Sequence, residues 1–84
     1  MNNVIMRRIE VTAEYQPLSK TRLLATATLS CLPTNIQSVY FRGDDGSDVP
    51  WVPGEWHEVR RINLNELLVK GTPGDVVTII GGTW

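Results

Sequence analysis

The chain has 84 residues, 42% hydrophobic and 20% charged, which describes a single folded domain, residues 1–84, with no room for a second. Its 8 basic and 9 acidic residues are scattered and leave a formal net charge of −1, so no field able to gather a polyanion is expected and nucleic acid is not an expected partner. One Cys and one His rule out a disulfide framework and a metal cluster. A domain of this size buries only about 60% of the surface its unfolded chain exposes, so oligomerisation or docking on a larger assembly is the remaining stabiliser.

The first residues, MNNVIMRRIEV, place two arginines behind a short apolar patch with no hydrophobic region following, so neither a secretory signal nor a membrane anchor is expected. No stretch approaches the roughly 20 apolar residues of a membrane span. From Ile5 to Tyr15 the odd positions Ile5, Arg7, Ile9, Val11, Ala13 and Tyr15 alternate with Arg8, Glu10, Thr12 and Glu14, the period of a half-buried strand. Gln16-Pro17-Leu18-Ser19-Lys20 breaks it. Leu23, Ala25, Ala27, Leu29 and Cys31 then alternate with Leu24, Thr26, Thr28 and Ser30 in a second strand, expected to lie antiparallel to the first. Alanines could favour a helix here, but the threonines at every second position argue against it.

After the loop Pro33-Thr34-Asn35, Ile36 to Arg42 is a third strand, carrying Tyr40. Gly43 to Asp48 is turn chemistry throughout. Val49-Pro50-Trp51-Val52-Pro53-Gly54 is not expected inside a sheet, because each proline lacks a donor, and should cross between sheet edges. Glu55 to Ile62 alternates again, with Trp56 and Ile62 on one side and His57, Val59 and Arg61 on the other. Asn63 can cap one helical turn over Leu64-Asn65-Glu66, followed by a short strand at Leu67 to Lys70. A turn over Gly71 to Asp75 then opens a hairpin that Val76 to Ile80 closes. The whole predicts an all-β fold, a small antiparallel β-sandwich or barrel of about six or seven short strands, with residues 81–84 as a flexible tail beyond Gly81 and Gly82.

The side chains that could carry chemistry do not assemble into a site. Asp44-Asp45-Gly46-Ser47-Asp48 lacks the regular ligand spacing and distal Glu of a calcium loop, and Arg42 competes for its carboxylates. His57 stands beside Glu58, but adjacent strand residues point to opposite faces. Cys31 falls on the apolar side of its strand, as an inert buried thiol. Gly71, Gly74, Gly81 and Gly82 bracket a β-run and do not lead into a helix, so they make no phosphate cradle. Arg60 and Arg61 with Trp56 could form a stacking platform, but no basic stripe supports one. No catalytic residue, metal ligand or cofactor is therefore expected, and the chain is not expected to be an enzyme.

The aromatic residues are the candidate interface: Trp51, Trp56, Trp84 and Tyr40. Trp51 and Trp56 could instead cover an open end of the fold together. Trp84 behind two glycines is either an anchor for a neighbouring subunit or a frayed end.

The segments VYFRGDDGSDVPWVPGEW and INLNELLVKGTPGDVVTIIGG, spanning Val39 to Gly82, resemble a pattern in small structural proteins of tailed bacteriophages. There a Val-Tyr-aromatic strand leads to a Gly/Asp loop, a Pro-Gly turn and an Asn/Asp-Leu segment, and a Lys-Gly-Thr-x-Gly-Asp turn precedes the last strand. The resemblance implies a compact all-β head or tail accessory subunit without enzyme activity, resident in the virion and assembled in the host cytoplasm. The expected role is a capsid decoration or cement subunit that clamps neighbouring capsomers, with the major capsid protein, other virion proteins and copies of itself as partners. The alternative is a tail-tip or fibre module that binds receptor carbohydrate through Trp51, Trp56 and the Asp44–Asp48 loop.

Overall fold

Alternating apolar and polar residues, punctuated by Gly, Pro, Asn and Asp, become eight strands in the computed structural model, which describes residues 3–83. They are β1 (Asn3–Glu10), β2 (Gln16–Pro17), β3 (Leu24–Cys31), β4 (Val39–Arg42), β5 (Val49–Trp51), β6 (Trp56–Asn63), β7 (Leu68–Lys70) and β8 (Val76–Thr83). A 3-10 turn, Leu64–Glu66, precedes β7, and its N-cap is Asn63, whose side chain accepts from the Asn65 N–H as the sequence predicts. The strands form two antiparallel four-stranded sheets, ordered β1-β8-β3-β6 and β2-β7-β4-β5. The all-β sandwich expected from the alternation is present, with eight strands, of which β2 and β5 fall in segments the sequence reading gives to turns and crossings.

The core lies between the sheets. Ile5, Ala27, Leu29, Cys31, Val77 and Ile79 come from the inner face of the first sheet, Val39, Phe41, Trp51 and Val69 from the second, and Leu18 and Leu64 close the ends. β3 shows why this register is fixed: Ala25, Ala27, Leu29 and Cys31 are buried while the intervening Thr26, Thr28 and Ser30 are half-buried, so a slip of one residue would exchange core for surface.

Four connections differ from the sequence reading. β3 does not pair with β1; β8 lies between them and pairs antiparallel with both. The residues after β1 cross to the other sheet, where β2 pairs with β7, so no tight turn joins β1 to β3. The turn after β7 likewise makes no hairpin: β7 belongs to the second sheet and β8 to the first, and Gly71–Asp75 is the corner between them. Val49–Trp51 does form a strand, because β5 is an edge that bonds β4 on one side only and Pro50 needs no donor on the other.

In β6 the expected faces are also altered. Ala25 pairs with Ile62 and Ala27 with Val59, so Arg60 and Arg61 together face the single Thr26. Arg61 takes φ of 52°, and its N–H donates to Thr26 Oγ1 at 3.1 Å. The bulge changes the parity of the strand and turns both Val59 and Ile62 toward the core.

Gly81 and Gly82 are not a hinge into a tail. They continue β8 to Thr83, with Gly81 opposite Ile5 on one side and Ala27 on the other. A Cβ on Gly81 would run into the Thr26 carbonyl oxygen and lie 2.5 Å from Ala27 Cα, so this central strand can approach β3 only where the side chain is absent. Gly81→Ala is therefore expected to destabilise the domain by about 3 kcal/mol or more and lower its Tm by more than about 10 °C. Gly43→Ala, where an added Cβ meets nothing within 4 Å, should leave the thermal transition within a few degrees of wild type. Equal melting of the two variants by circular dichroism would refute this packing.

Candidate functional site

The first sheet turns Val4, Met6 and Arg8 of β1 and Thr78 and Ile80 of β8 away from the core. Met6 stands opposite Ile80, Ile80 opposite Thr28, and Thr28 opposite Glu58; the next row is Arg8, Thr78, Ser30 and Trp56. The surface carries the hydroxyl side chains Thr28, Ser30 and Thr78 at its centre and the charged Arg8 and Glu58 toward its edges, with Val4, Met6 and Ile80 on one side and Trp56 on the other. These four are 80%, 71%, 56% and 63% exposed, far more than burial-seeking side chains of this size need be. The sequence carries a signal for the patch that the alternation reading passed over: Val4, Ile5 and Met6 are all apolar, so β1 begins with both of its faces hydrophobic.

The aromatic candidates separate. Trp51 is buried, its ring centroid 4.0 Å from that of Phe41, and His57 meets it edge-on at 4.7 Å. It is a core residue, and it does not cover an open end with Trp56, which is exposed on the opposite surface of its sheet. Tyr40 is partly exposed on β4, opposite Lys70 and Pro50. Trp84, expected as an anchor, lies outside the described residues.

His57 does have a carboxylate partner, although not its neighbour Glu58. Glu55, two positions earlier and so on the same side of the chain, places Oε2 2.6 Å from His57 Nε2, while its Oε1 accepts the Val52 N–H at 3.0 Å. The bond to His57, followed by that N–H, holds the Glu55 carboxyl below its usual value. Together the pair closes the Val52–Gly54 turn over Trp51. The period-two rule that removed Glu58 would have found Glu55.

The acidic loop is held in the same structural manner. Asp48 Oδ1 accepts from the Tyr15 hydroxyl at 2.5 Å and from Arg42 Nη2 at 2.8 Å, and the Arg42 guanidinium and Lys70 ammonium lie 4.1 and 4.8 Å from the centre of the Tyr15 ring. The bond from Tyr15, then that from Arg42, lowers the Asp48 pKa; burial and the Asp48 bond raise that of Tyr15. Asp45 accepts the Ser47 N–H at 2.9 Å. Among the described residues no group of three or more His, Cys, Asp or Glu side chains is placed to hold a metal ion. Cys31 is buried, with Asn35 Nδ2 3.2 Å from its sulfur.

Comparison of the chain with known protein families, with curated proteins and with solved structures gives no match.

The depressed Asp48 and Glu55 pKa values predict an acid limb of stability. Each carboxylate binds protons less readily in the folded chain than in the unfolded one, so its contribution is complete above the ordinary carboxylate range near pH 4 and disappears as pH falls through the lower folded value. In thermal melts between neutral pH and about pH 2, Asp48→Asn should lose less stability on acidification than wild type does. Parallel curves for the two proteins would show that the Tyr15–Asp48–Arg42 cluster is not linked to folding.

Proposed function

We propose that the protein is a non-enzymatic structural subunit of an assembled particle, specifically a decoration or cement subunit that clamps neighbouring subunits of a virion shell. The observation that carries this reading is the outer surface of the first sheet, where Val4, Met6, Ile80 and Trp56 are exposed on a domain too small to leave such area unused without cost. Covering that surface with a shell supplies the burial that so small a core lacks. The resemblance of Val39–Gly82 to small phage structural proteins agrees with this use and names the setting: the virion, with the major capsid protein and further copies of the chain as partners. A carbohydrate-binding module is less well supported, because Trp51 is packed on Phe41 and leaves Trp56 without a second exposed tryptophan among the described residues.

Ile80→Lys tests the reading, since the position is exposed and the change should alter Tm by only a few degrees. Particles purified from cells that make the wild-type protein should carry many copies at symmetric positions on the shell by electron microscopy, and those made with Ile80→Lys should carry few. Free protein with bare shells in the wild-type preparation would overturn the proposal, as would equal decoration by the variant.

A further inference from the structure

Three of the sandwich's sheet edges carry a device that hinders pairing. β2 has two residues and ends in Pro17, β5 has three with Pro50 at its centre, and β6 is bent by the Arg60–Arg61 bulge and charged at Glu58 and Arg60. β1 has charge alone, at Arg7, Arg8 and Glu10, which any pairing must accommodate. It runs for eight residues without proline, glycine or bulge, in unbroken register with β8 from Asn3 to Glu10, and among the described residues it bonds no strand on its other side.

The register shows which backbone groups are free. The Val11 N–H donates to the Asp75 carbonyl at 2.9 Å in the line that also sets Ile9 opposite Val77. Because antiparallel bonding alternates, the odd-numbered residues of β1 spend their groups on β8, while Val4, Met6, Arg8 and Glu10 turn theirs outward. The Glu10 carbonyl is already taken by Gln16 Nε2 at 3.0 Å. What is left is Val4, Met6 and Arg8, a set symmetric about Met6.

We propose that a second copy of the chain pairs antiparallel with this edge about a two-fold axis at Met6, joining the two first sheets into one. Met6 lies opposite Met6 of the other copy and Val4 opposite Arg8, each pair exchanging both of its backbone bonds. Bond number and charge select the register: centring on Ile5 pairs only Val4 with Met6 and makes fewer backbone bonds. Centring on Arg7 sets two guanidinium groups against each other and requires the occupied Glu10 carbonyl; centring on Arg8 opposes the two Arg8 side chains. Centred on Met6, Arg7 faces Ile5 and the apolar stem of Arg8 lies along Val4. The same register brings the Met6–Ile80 pairs of both copies into one apolar band. Gln16–Thr21 flanks Arg7–Ile9 across a groove, which the partner strand enters to reach Arg8. The inference deepens the structural-subunit reading, which it takes as its setting, by naming a partner and a contact.

Sedimentation of the full chain across concentration should reveal a dimer, and in that dimer the Val4, Met6 and Arg8 amides should exchange with deuterium more slowly than at dilutions where the chain is monomeric. Met6→Lys should weaken dimerisation by about tenfold or more, and so should Met6→Glu, whereas an equal mixture of the two should form a heterodimer. Mild oxidation should cross-link Met6→Cys with itself, the paired Cα atoms being within disulfide range, and should not cross-link Arg8→Cys with itself. A chain that stays monomeric at all concentrations, or a dimer whose three amides gain no protection, overturns the pairing. A dimer that attaches to no shell keeps the pairing and defeats the decoration reading, and a monomer that decorates shells does the reverse.

Discussion

The two sheets are tied together at one corner by a single residue, Asp75. Its carboxylate, almost wholly buried, accepts the N–H groups of Ile36 and Gln37 at 3.0 and 3.1 Å; its carbonyl accepts the Val11 N–H at 2.9 Å; and its own N–H donates to Thr72 at 3.0 Å. Four stretches of chain thus meet at a point: the end of β1, the approach to β4, the corner after β7 and the start of β8. Amides left unmet in such a place cost about 1–3 kcal/mol each, so the carboxylate decides where the chain changes sheet. Gly71 allows the approach, since a Cβ there would lie 2.9 Å from Val11 Cγ2. Asn35 adds a second tie, bonding the Val76 carbonyl and N–H at 2.8 and 2.9 Å in the manner of an extra strand residue. β8 leaves this corner already in register with β1 and with β3.

That corner explains which parts of the fold were legible in the sequence and which were not. Local preference and burial point the same way in β3, in the Asn63-capped turn and in β4, and those elements stand where the alternation places them. Pairing is a different matter. Gly71 to Asp75 has the same turn chemistry whether it closes a hairpin or rounds a corner, and what separates the two outcomes is an aspartate bonding amides nearly forty residues earlier in the chain, about which a local pattern is silent. Likewise Arg60-Arg61 reads as ordinary alternation until its partner strand shows one residue facing two. Pro50 reads as a barrier because an edge and a centre cannot be distinguished along the chain alone.

Of the aromatic side chains that the sequence offers as an interface, Trp56 and Tyr40 are exposed, but Trp51 is enclosed because β5 delivers it onto Phe41 under the Glu55–His57 pair. The proline-rich character of its segment says that the chain is on an edge, without saying which way the indole points. The exposed aliphatic side chains Val4, Met6 and Ile80 are not among those candidates. Val4 and Met6 are conspicuous only once β1 is known to be an edge strand, since in a central strand two apolar faces would be ordinary.

The glycines near the chain's end connect the core to the surface. Between β1 and β3 the sandwich is filled at this end by Ala25, Ala27 and Gly81, so the three strands lie close and the inner layer is thin. Gly82, one residue on, takes the other face of β8 between Val4 and Thr26 and is buried. Exposure returns at Ile80 and, along the edge, at Val4 and Met6. A larger residue at Gly81 would push the strands apart. The dipeptide that reads as a flexible exit from the fold is thus a place of close packing, and it holds β8 in register beside the edge strand β1.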